Sequence, residues 1–176
     1  RFHRSFLEAV DEFRAAGEDR HDGVLDLPAD EHFPGVRFTR EGLEDPVEFA
    51  RLVEQRLGDA DPASPRPTGW VPATHRWIAV GDTFVGGISL RHSLDHPFLA
   101  EAGGHVGYAV RPGARRRGHA KEALRLLLPL AAAHGLERVL VTCDVDNTAS
   151  ARTIESCGGV LEDVRSGKRR YWVATG

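Results

Sequence analysis

The sequence contains no methionine and only two cysteines, and aromatic residues make up just 7% of it. The missing methionine includes the initiator, so a fragment or processed chain is expected, with something absent upstream of Arg1. Cys143 and Cys157 cannot build a disulfide framework, which excludes a small secreted protein held by bridges. No apolar run approaches the ~18 residues that a membrane span needs. The stretch from Arg1 to Val10 alternates polar and apolar residues and is not a secretory signal. A cytoplasmic protein with no membrane partner is therefore expected. The net charge of −3 argues against a surface built to bind polyanions as a whole. What remains is ordinary for a soluble globular chain: 176 residues, 41% hydrophobic and 28% charged, enough for one domain with a sizeable core.

Charge is unevenly placed. Residues 1–50 carry 13 acidic and 6 basic side chains, a net of −7. Residues 111–138 carry 7 basic side chains against Glu122 and Glu137, a net of +5. One region is suited to an anion and the other tolerates a cation, or both are solvated surface.

The periodicity of Phe2, Phe6, Leu7, Val10 and Phe13 predicts a helix over 4–16, closed by Gly17. Residues 18–44, rich in Asp, Gly and Pro, read mostly as loop. Asp45-Pro46 caps a second helix that ends before Gly58. Four prolines make Asp61–Pro72 an extended connector. A hairpin over Arg76–Val80 and Thr83–Leu90, a loop over 91–103 and a strand over His105–Val110 follow. A long helix over 116–134 is expected to kink at Pro129. Then come a buried strand over Arg138–Cys143, a short helix over Thr148–Ser156, and a terminal hairpin over Val160–Val164 and Arg169–Ala174.

The chemistry concentrates after Val110. Helices normally carry acids in the first turn, where the backbone presents roughly half a positive charge. Here Arg115, Arg116, Arg117 and Lys121 stand there instead, an arrangement that a bound polyanion would stabilise. Gly118 and Ala120 lack bulk, so a ligand can approach the backbone. The run fits neither Gly-x-x-x-x-Gly-Lys-Ser/Thr nor Gly-x-Gly-x-x-Gly. No aromatic stacking series or second basic patch supports a nucleic-acid partner.

Arg115-x-x-Gly118-x-Ala120 does match the Arg/Gln-x-x-Gly-x-Gly/Ala pattern. With the strand Arg138–Asp144, Asn147-x-x-Ser150 opening the next helix, and Gly158-Gly159-Val160, the chain resembles the GNAT superfamily of acyl-CoA-dependent N-acetyltransferases over residues 75–174. The strings Gly-Gly-His-x-Gly-Tyr-x-Val-Arg-Pro and Thr-Ile-Glu-Ser-Cys-Gly-Gly-Val-Leu-Glu resemble a bacterial branch of predicted acetyltransferases. The resemblance implies an α/β GNAT fold with a mixed, mostly antiparallel sheet of six or seven strands. That sheet would have a splayed parallel central pair, strands 105–110 and 138–143, and about four flanking helices. It implies one domain over 1–176, with a helical acceptor-side segment (1–60) and an acetyl-CoA-binding core (75–174). The strand that usually precedes the first helix in this family has only Arg1–His3 left to form it.

The implied cosubstrate is acetyl-CoA, with no metal, and the implied partner is an amine-bearing acceptor. A monomer or homodimer is expected. Tyr108, Ala109 and Val110 would pair with the pantetheine arm through their backbone. Arg116, Arg117, Gly118, His119, Ala120 and Lys121 would hold the pyrophosphate, with Arg115 opening the loop. Asn147 would bond the pantetheine through its side chain, and Ser150 is a second candidate for that contact. Many relatives place a tyrosine acid seven residues after the asparagine, but here that position is Ile154. Tyr171 is a possible substitute. The strand position where many relatives carry an acid is His105, whose imidazole suits the role of base; Glu101 and His92 are alternatives. A metal site from His92, His96 and His105 has no tight ligand spacing behind it. Acetyl transfer by direct attack is the leading reading. A non-catalytic acyl-CoA-binding module and transfer of another acyl group are the alternatives. The acidic first fifty residues further predict a cationic acceptor.

Overall fold

The computed structural model describes all residues from Arg1 to Gly176. Helix α1 (His3–Ala15) buries Phe6, Ala9, Val10 and Phe13 on one stripe, as its periodicity requires. Helix α2 (Pro46–Gly58) starts at Asp45, whose side chain accepts the Val47 N–H, and has proline in its first turn. Between them lies more structure than the composition predicts. Strands β1 (Asp26–Leu27) and β2 (Val36–Arg37) pair antiparallel, and Leu25, Leu27, Phe33, Phe38 and Leu43 are buried beside the two helices. Scattered single hydrophobics in a Gly- and Pro-rich stretch give no periodic signal, yet each fills the same core.

The main sheet contains β3 (Ala73–Val80), β4 (Thr83–Arg91), β5 (Val106–Val110), β6 (Arg138–Asp144), β7 (Val160–Arg165) and β8 (Lys168–Ala174). Their spatial order is β3-β4-β5-β6-β8-β7, antiparallel except for β5 beside β6. Helices α1 and α2 cover one face around Phe6, Phe49, Trp77 and Phe84, whose rings lie 5.0–5.8 Å apart. Helices α3 (His119–Ala133) and α4 (Thr148–Glu155) cover the other, packing Leu124, Leu127 and Ile154 on Leu90, Val106, Val139 and Val141. The result is the three-layer α/β arrangement expected from the sequence.

Two expected boundaries move. Strand β3 begins at Ala73, three residues before the β-rich run that marks it in the sequence. Helix α3 begins at His119 because Arg116 (φ 64°) and Gly118 (φ 84°) occupy left-handed backbone that a helix cannot use. The helix runs continuously through Pro129. That residue is exposed, so water can satisfy the carbonyl that proline leaves without a donor.

The loop before β5 turns at Gly104 (φ 66°, ψ −178°), a region essentially reserved for glycine. A Cβ there would lie 2.6 Å from the Leu140 carbonyl oxygen. Gly104→Ala is therefore expected to cost at least about 2 kcal/mol and to lower Tm by roughly 4–8 °C. Thermal denaturation followed by circular dichroism measures this. An unchanged Tm would mean that the turn has another conformation available.

Candidate active site

Strands β5 and β6 share a single residue pair, Val106 with Val141, and then part. Where they meet, the His105 N–H donates to the Leu140 carbonyl (2.7 Å), and the Leu140 N–H donates to His105 Nδ1 (2.9 Å). A side chain thus closes the ladder where a strand would otherwise continue. Beyond it, the pairing of β5 with β4 fixes which backbone groups face outward. Alternation turns the N–H and C=O of Tyr108 and Val110 toward the gap left by β6.

A cavity of about 750 Å³ occupies this gap and extends over the α1–α2 side of the sheet. Its floor is formed by Gly87, Ser89 and Gly107, adjacent residues in neighbouring strands with little or no side chain. At one end stand Tyr108, Cys143, Asn147 and Ser150, and at the other His75, Asp59, Arg56 and Arg91.

The predicted binding residues fall around the gap. After Val110, no backbone N–H from Arg116 to Lys121 has an intramolecular partner, and the first helical bond of α3 is Glu122 N–H to Gly118 C=O (3.0 Å). Six consecutive donors thus surround a bend where a Cβ on Gly118 would meet no atom within 4 Å. The side chains of Arg116, Arg117 and Lys121 are exposed around the same bend, with His119 and Ala120 half-buried. These residues fit a polyanionic group such as a pyrophosphate. Arg115 does not add a free cation to them. Its guanidinium binds both Glu18 oxygens (2.9 and 2.6 Å) and the Val110 carbonyl (2.9 Å). Asn147 caps α4, its Oδ1 accepting the Ser150 N–H (3.0 Å), so only its amide NH2 is left for a ligand. Ser150 Oγ lies 2.6 Å from the Tyr108 hydroxyl. Burial pushes that phenol up to about 12, so it keeps its proton at neutral pH.

Neither predicted catalytic residue reaches the cavity. His105 is 5% exposed, and its Nδ1 lone pair is taken by the Leu140 N–H. Burial, followed by the Arg91 charge, lowers its pKa to about 4. Its role is to hold two strands together. Tyr171 is 1% exposed and its hydroxyl donates to Glu155 (2.9 Å), away from the gap. The alternatives also turn elsewhere. Glu101 accepts from Ser166 (2.7 Å), and His92 bonds Thr74 (2.8 Å) while stacking on His134. His92, His96 and His105 do not converge, and no group of three His, Cys, Asp or Glu side chains is placed to hold a metal ion.

A cavity-lining residue that the sequence does not single out is His75. Its Nε2 donates to Asp59 (2.7 Å), which leaves Nδ1 without an intramolecular partner. Burial lowers its pKa, and Asp59 opposes that shift only in part, so the imidazole is neutral with a free lone pair near pH 7. In the sequence it is one histidine among nine, and its partner is 16 positions away.

The acidic residues from which a cationic acceptor is expected do not gather around the cavity. The carboxylates of the first fifty residues are largely engaged on the outer surface. Asp11 and Glu44 hold Arg40, Glu12 holds Arg111, Glu18 holds Arg115, and Glu48 holds Arg51.

The fold and site define an α/β protein with a run of unpartnered backbone N–H groups at the end of a splayed strand. The acetyltransferase (GNAT) domain family matches residues 25–160, and the chain belongs to that family. The chain is thus an acetyltransferase by family. No curated protein sequence matches it. Among solved structures it is similar to the microcin C7 self-immunity acetyltransferase MccE in complex with acetyl-CoA and AMP. That match has 14% identity, 98% of this chain and 86% of the other covered, and a TM-score of 0.58. It is also similar to RimL, the ribosomal L7/L12 α-N-protein acetyltransferase (18%, 98% and 84%, 0.55). An acetyltransferase from Agrobacterium tumefaciens strain C58 is a third (20%, 94% and 82%, 0.56). These are likenesses of fold.

His105 carries a prediction about stability. The folded protein resists protonating this imidazole, whereas the unfolded chain accepts a proton near 6.5. The unfolded state therefore binds more protons between those values, and stability falls as pH drops from about 6.5 toward 4. The expected loss is about 2–3 kcal/mol. His105→Asn, which keeps an acceptor near the Nδ1 position and cannot titrate, should flatten the urea-unfolding free energy over this window. A variant with the same pH slope as the parent would assign the slope to other groups.

Proposed function

We propose that the chain transfers an acetyl group from acetyl-CoA to the amine of an acceptor by direct attack. The observation that carries this is the gap between β5 and β6, which opens an unpaired strand edge onto a cavity reaching His75 on its far side. Acetyl-CoA supplies an acetyl thioester when bound. The cradle of Arg116, Arg117, Gly118, His119, Ala120 and Lys121 would hold its phosphates. The backbone of Tyr108, Ala109 and Val110 would align its pantetheine arm as an added strand, with the amide of Asn147 as a further donor. Arg115 keeps the loop in place through Glu18.

The neutral His75 imidazole, oriented by Asp59, accepts a proton from the incoming ammonium at Nδ1. Its strand stands two strand spacings, about 10 Å, from β5. A bound acceptor or one bridging water spans that separation. At the other end, Ser150 and Tyr108 replace the tyrosine acid whose position is filled by Ile154. The phenol is too weak an acid to surrender its proton to a thiolate of ordinary pKa, about 8.5. It donates instead to Ser150 Oγ, which frees the serine hydroxyl hydrogen to stabilise developing negative charge on sulfur while solvent supplies the proton. Holding both reactants over a flat Gly–Ser–Gly floor provides the main acceleration. A cytoplasmic, bacterial setting belongs to this reading, and free Cys143 and Cys157 suit a reducing compartment.

Two variants test the two ends. Gly118→Asp places bulk and negative charge where six amides converge, and acetyl-CoA affinity measured by calorimetry should fall at least tenfold. Unchanged affinity in the folded variant removes the cradle from the mechanism. His75→Ala should lower turnover, read as free-thiol release, by roughly two to four powers of ten while acetyl-CoA binding is retained. In the parent, kcat/KM should fall as pH drops through a pKa below 6.5, the direction in which burial moves His75. Near-normal turnover of His75→Ala would leave deprotonation to solvent.

A further inference from the structure

The acceptor end of the cavity is cationic, although the surrounding sequence is acidic. Arg56, in the last turn of α2, and Arg91, at the end of β4, both line it. Arg56 has one recorded partner, the Gly23 carbonyl, 3.3 Å from Nη2. Arg91 uses only Nη1, toward the carbonyls of Gly103 (3.2 Å) and Gly104 (3.1 Å). Neither forms an ion pair. Of the three carboxylates that line the cavity, Asp59 is engaged by His75 (2.7 Å) and Arg66 (3.4 Å), Asp144 pairs with Lys168, and Asp26 pairs with neither Arg56 nor Arg91. Asp22 faces Arg56 electrostatically from outside the cavity, but its carboxylate is taken up by Arg14 and the Val24 N–H. Each guanidinium carries five N–H donors in a planar fork, so most donors of both remain open to the cavity.

A half-buried charged group whose only protein partners are carbonyls is an under-paired arrangement that an anion would relieve. Burial pushes both guanidiniums below their ordinary pKa, a mark of that unrelieved cost. The two arginines and the imidazole line the same cavity, and after burial both charges contribute to lowering the His75 pKa. Gly107 contributes to that space. A Cβ there would lie 3.5 Å from Arg91 Nη2, in line with the floor that leads to the β5 gap.

We propose that the acceptor is an amine that also carries an anionic group, a carboxylate or a phosphate, and that Arg56 and Arg91 bind that group while the amine lies between His75 and the β5 gap. This rests on the transferase reading above and adds the substrate's charge class. It reverses the polarity that the sequence composition predicts. An anionic group gives the guanidinium forks a paired acceptor, and it fixes the distance from the anion to the reacting nitrogen, which sets which amines fit.

The test uses matched probes: phosphoethanolamine against ethanolamine, and β-alanine against its amide, with rates compared per free amine. In the parent protein, kcat/KM for at least one anionic probe should exceed that of its neutral counterpart tenfold or more. The arm that shows it identifies phosphate or carboxylate. In Arg56→Met that ratio should fall close to one, and in Arg56→Lys, which keeps the charge, part of it should survive. Acetyl-CoA affinity serves as the check that each variant is folded. Calorimetric binding of the same probes to the CoA-saturated protein gives a readout independent of turnover. If no amine releases thiol but the anionic probes still bind selectively and lose binding in Arg56→Met, the transferase reading fails and the anion site stands. Equal preference for neutral probes, no binding of either anionic probe, or an unchanged ratio in Arg56→Met overturns the proposal.

Discussion

Strands β5 and β6 run parallel yet meet at one residue pair, and the split between them is held at His105. An ordinary parallel strand satisfies each neighbour's N–H with a carbonyl. Here the Leu140 N–H is satisfied by an imidazole nitrogen instead, which ties the strands together just before their one pair and leaves no buried donor stranded there. Gly104 supplies the turn that brings the ring into place. Past the Val106–Val141 pair the strands part, and the free edge at Tyr108 and Val110, the cavity, and the Gly–Ser–Gly floor beneath it all lie on that side. The imidazole does this as a neutral acceptor, which is why burial and the nearby Arg91 charge are compatible with it.

The loop at the far end of β5 is held by α1. Arg111 is buried and pairs with Glu12 at 2.7 Å, and the same carboxylate accepts the Gly113 N–H at 2.9 Å. Arg115 is fixed by Glu18. These arginines hold both carboxylates below the ordinary range. Two of the five arginines from Arg111 to Arg125 therefore serve the scaffold, and the anion cradle depends on backbone amides together with Arg116, Arg117 and Lys121. Glu12 and Glu18 and the first two arginines of the loop are complementary halves of one joint, so neither segment's net charge can be read whole as a ligand's complement.

Much of this fold is legible in the sequence because its elements carry clean local signals. Asp45-Pro46 marks α2, alternation marks β3 and β4, and the order of motifs from Arg115 to Val160 marks the acyl-CoA half. The packing of Leu25, Phe33 and Phe38 is not legible, since isolated hydrophobics in a turn-rich stretch have no period to detect. The cradle is legible because its donors are consecutive in the chain. The proposed base is not: His75 meets Asp59, which caps the end of α2 on the other side of the prolines of residues 61–72, and no spacing rule links them. His105 and Tyr171 lie at positions where a strand pattern makes them attractive, but strand alternation alone does not say which residues a twisted, splayed sheet buries. Each turns out to hold a backbone or helix contact.

The cavity presents cations at both ends of the path that a substrate pair would occupy, and this arrangement is costly in the empty protein. The cradle places Arg116, Arg117 and Lys121 against the positive end of α3, and the acceptor end places Arg56 and Arg91 near a neutral His75. At the acceptor end the positive field also keeps the imidazole unprotonated, since a proton on His75 would add a third charge to the same space. An anionic group arriving there would partly cancel the field, raise the affinity of His75 for a proton, and so strengthen the base at the moment the amine is in place. Binding and deprotonation would then be coupled through Coulomb interactions alone, with no movement of the chain, because the residues that set the field already line the cavity.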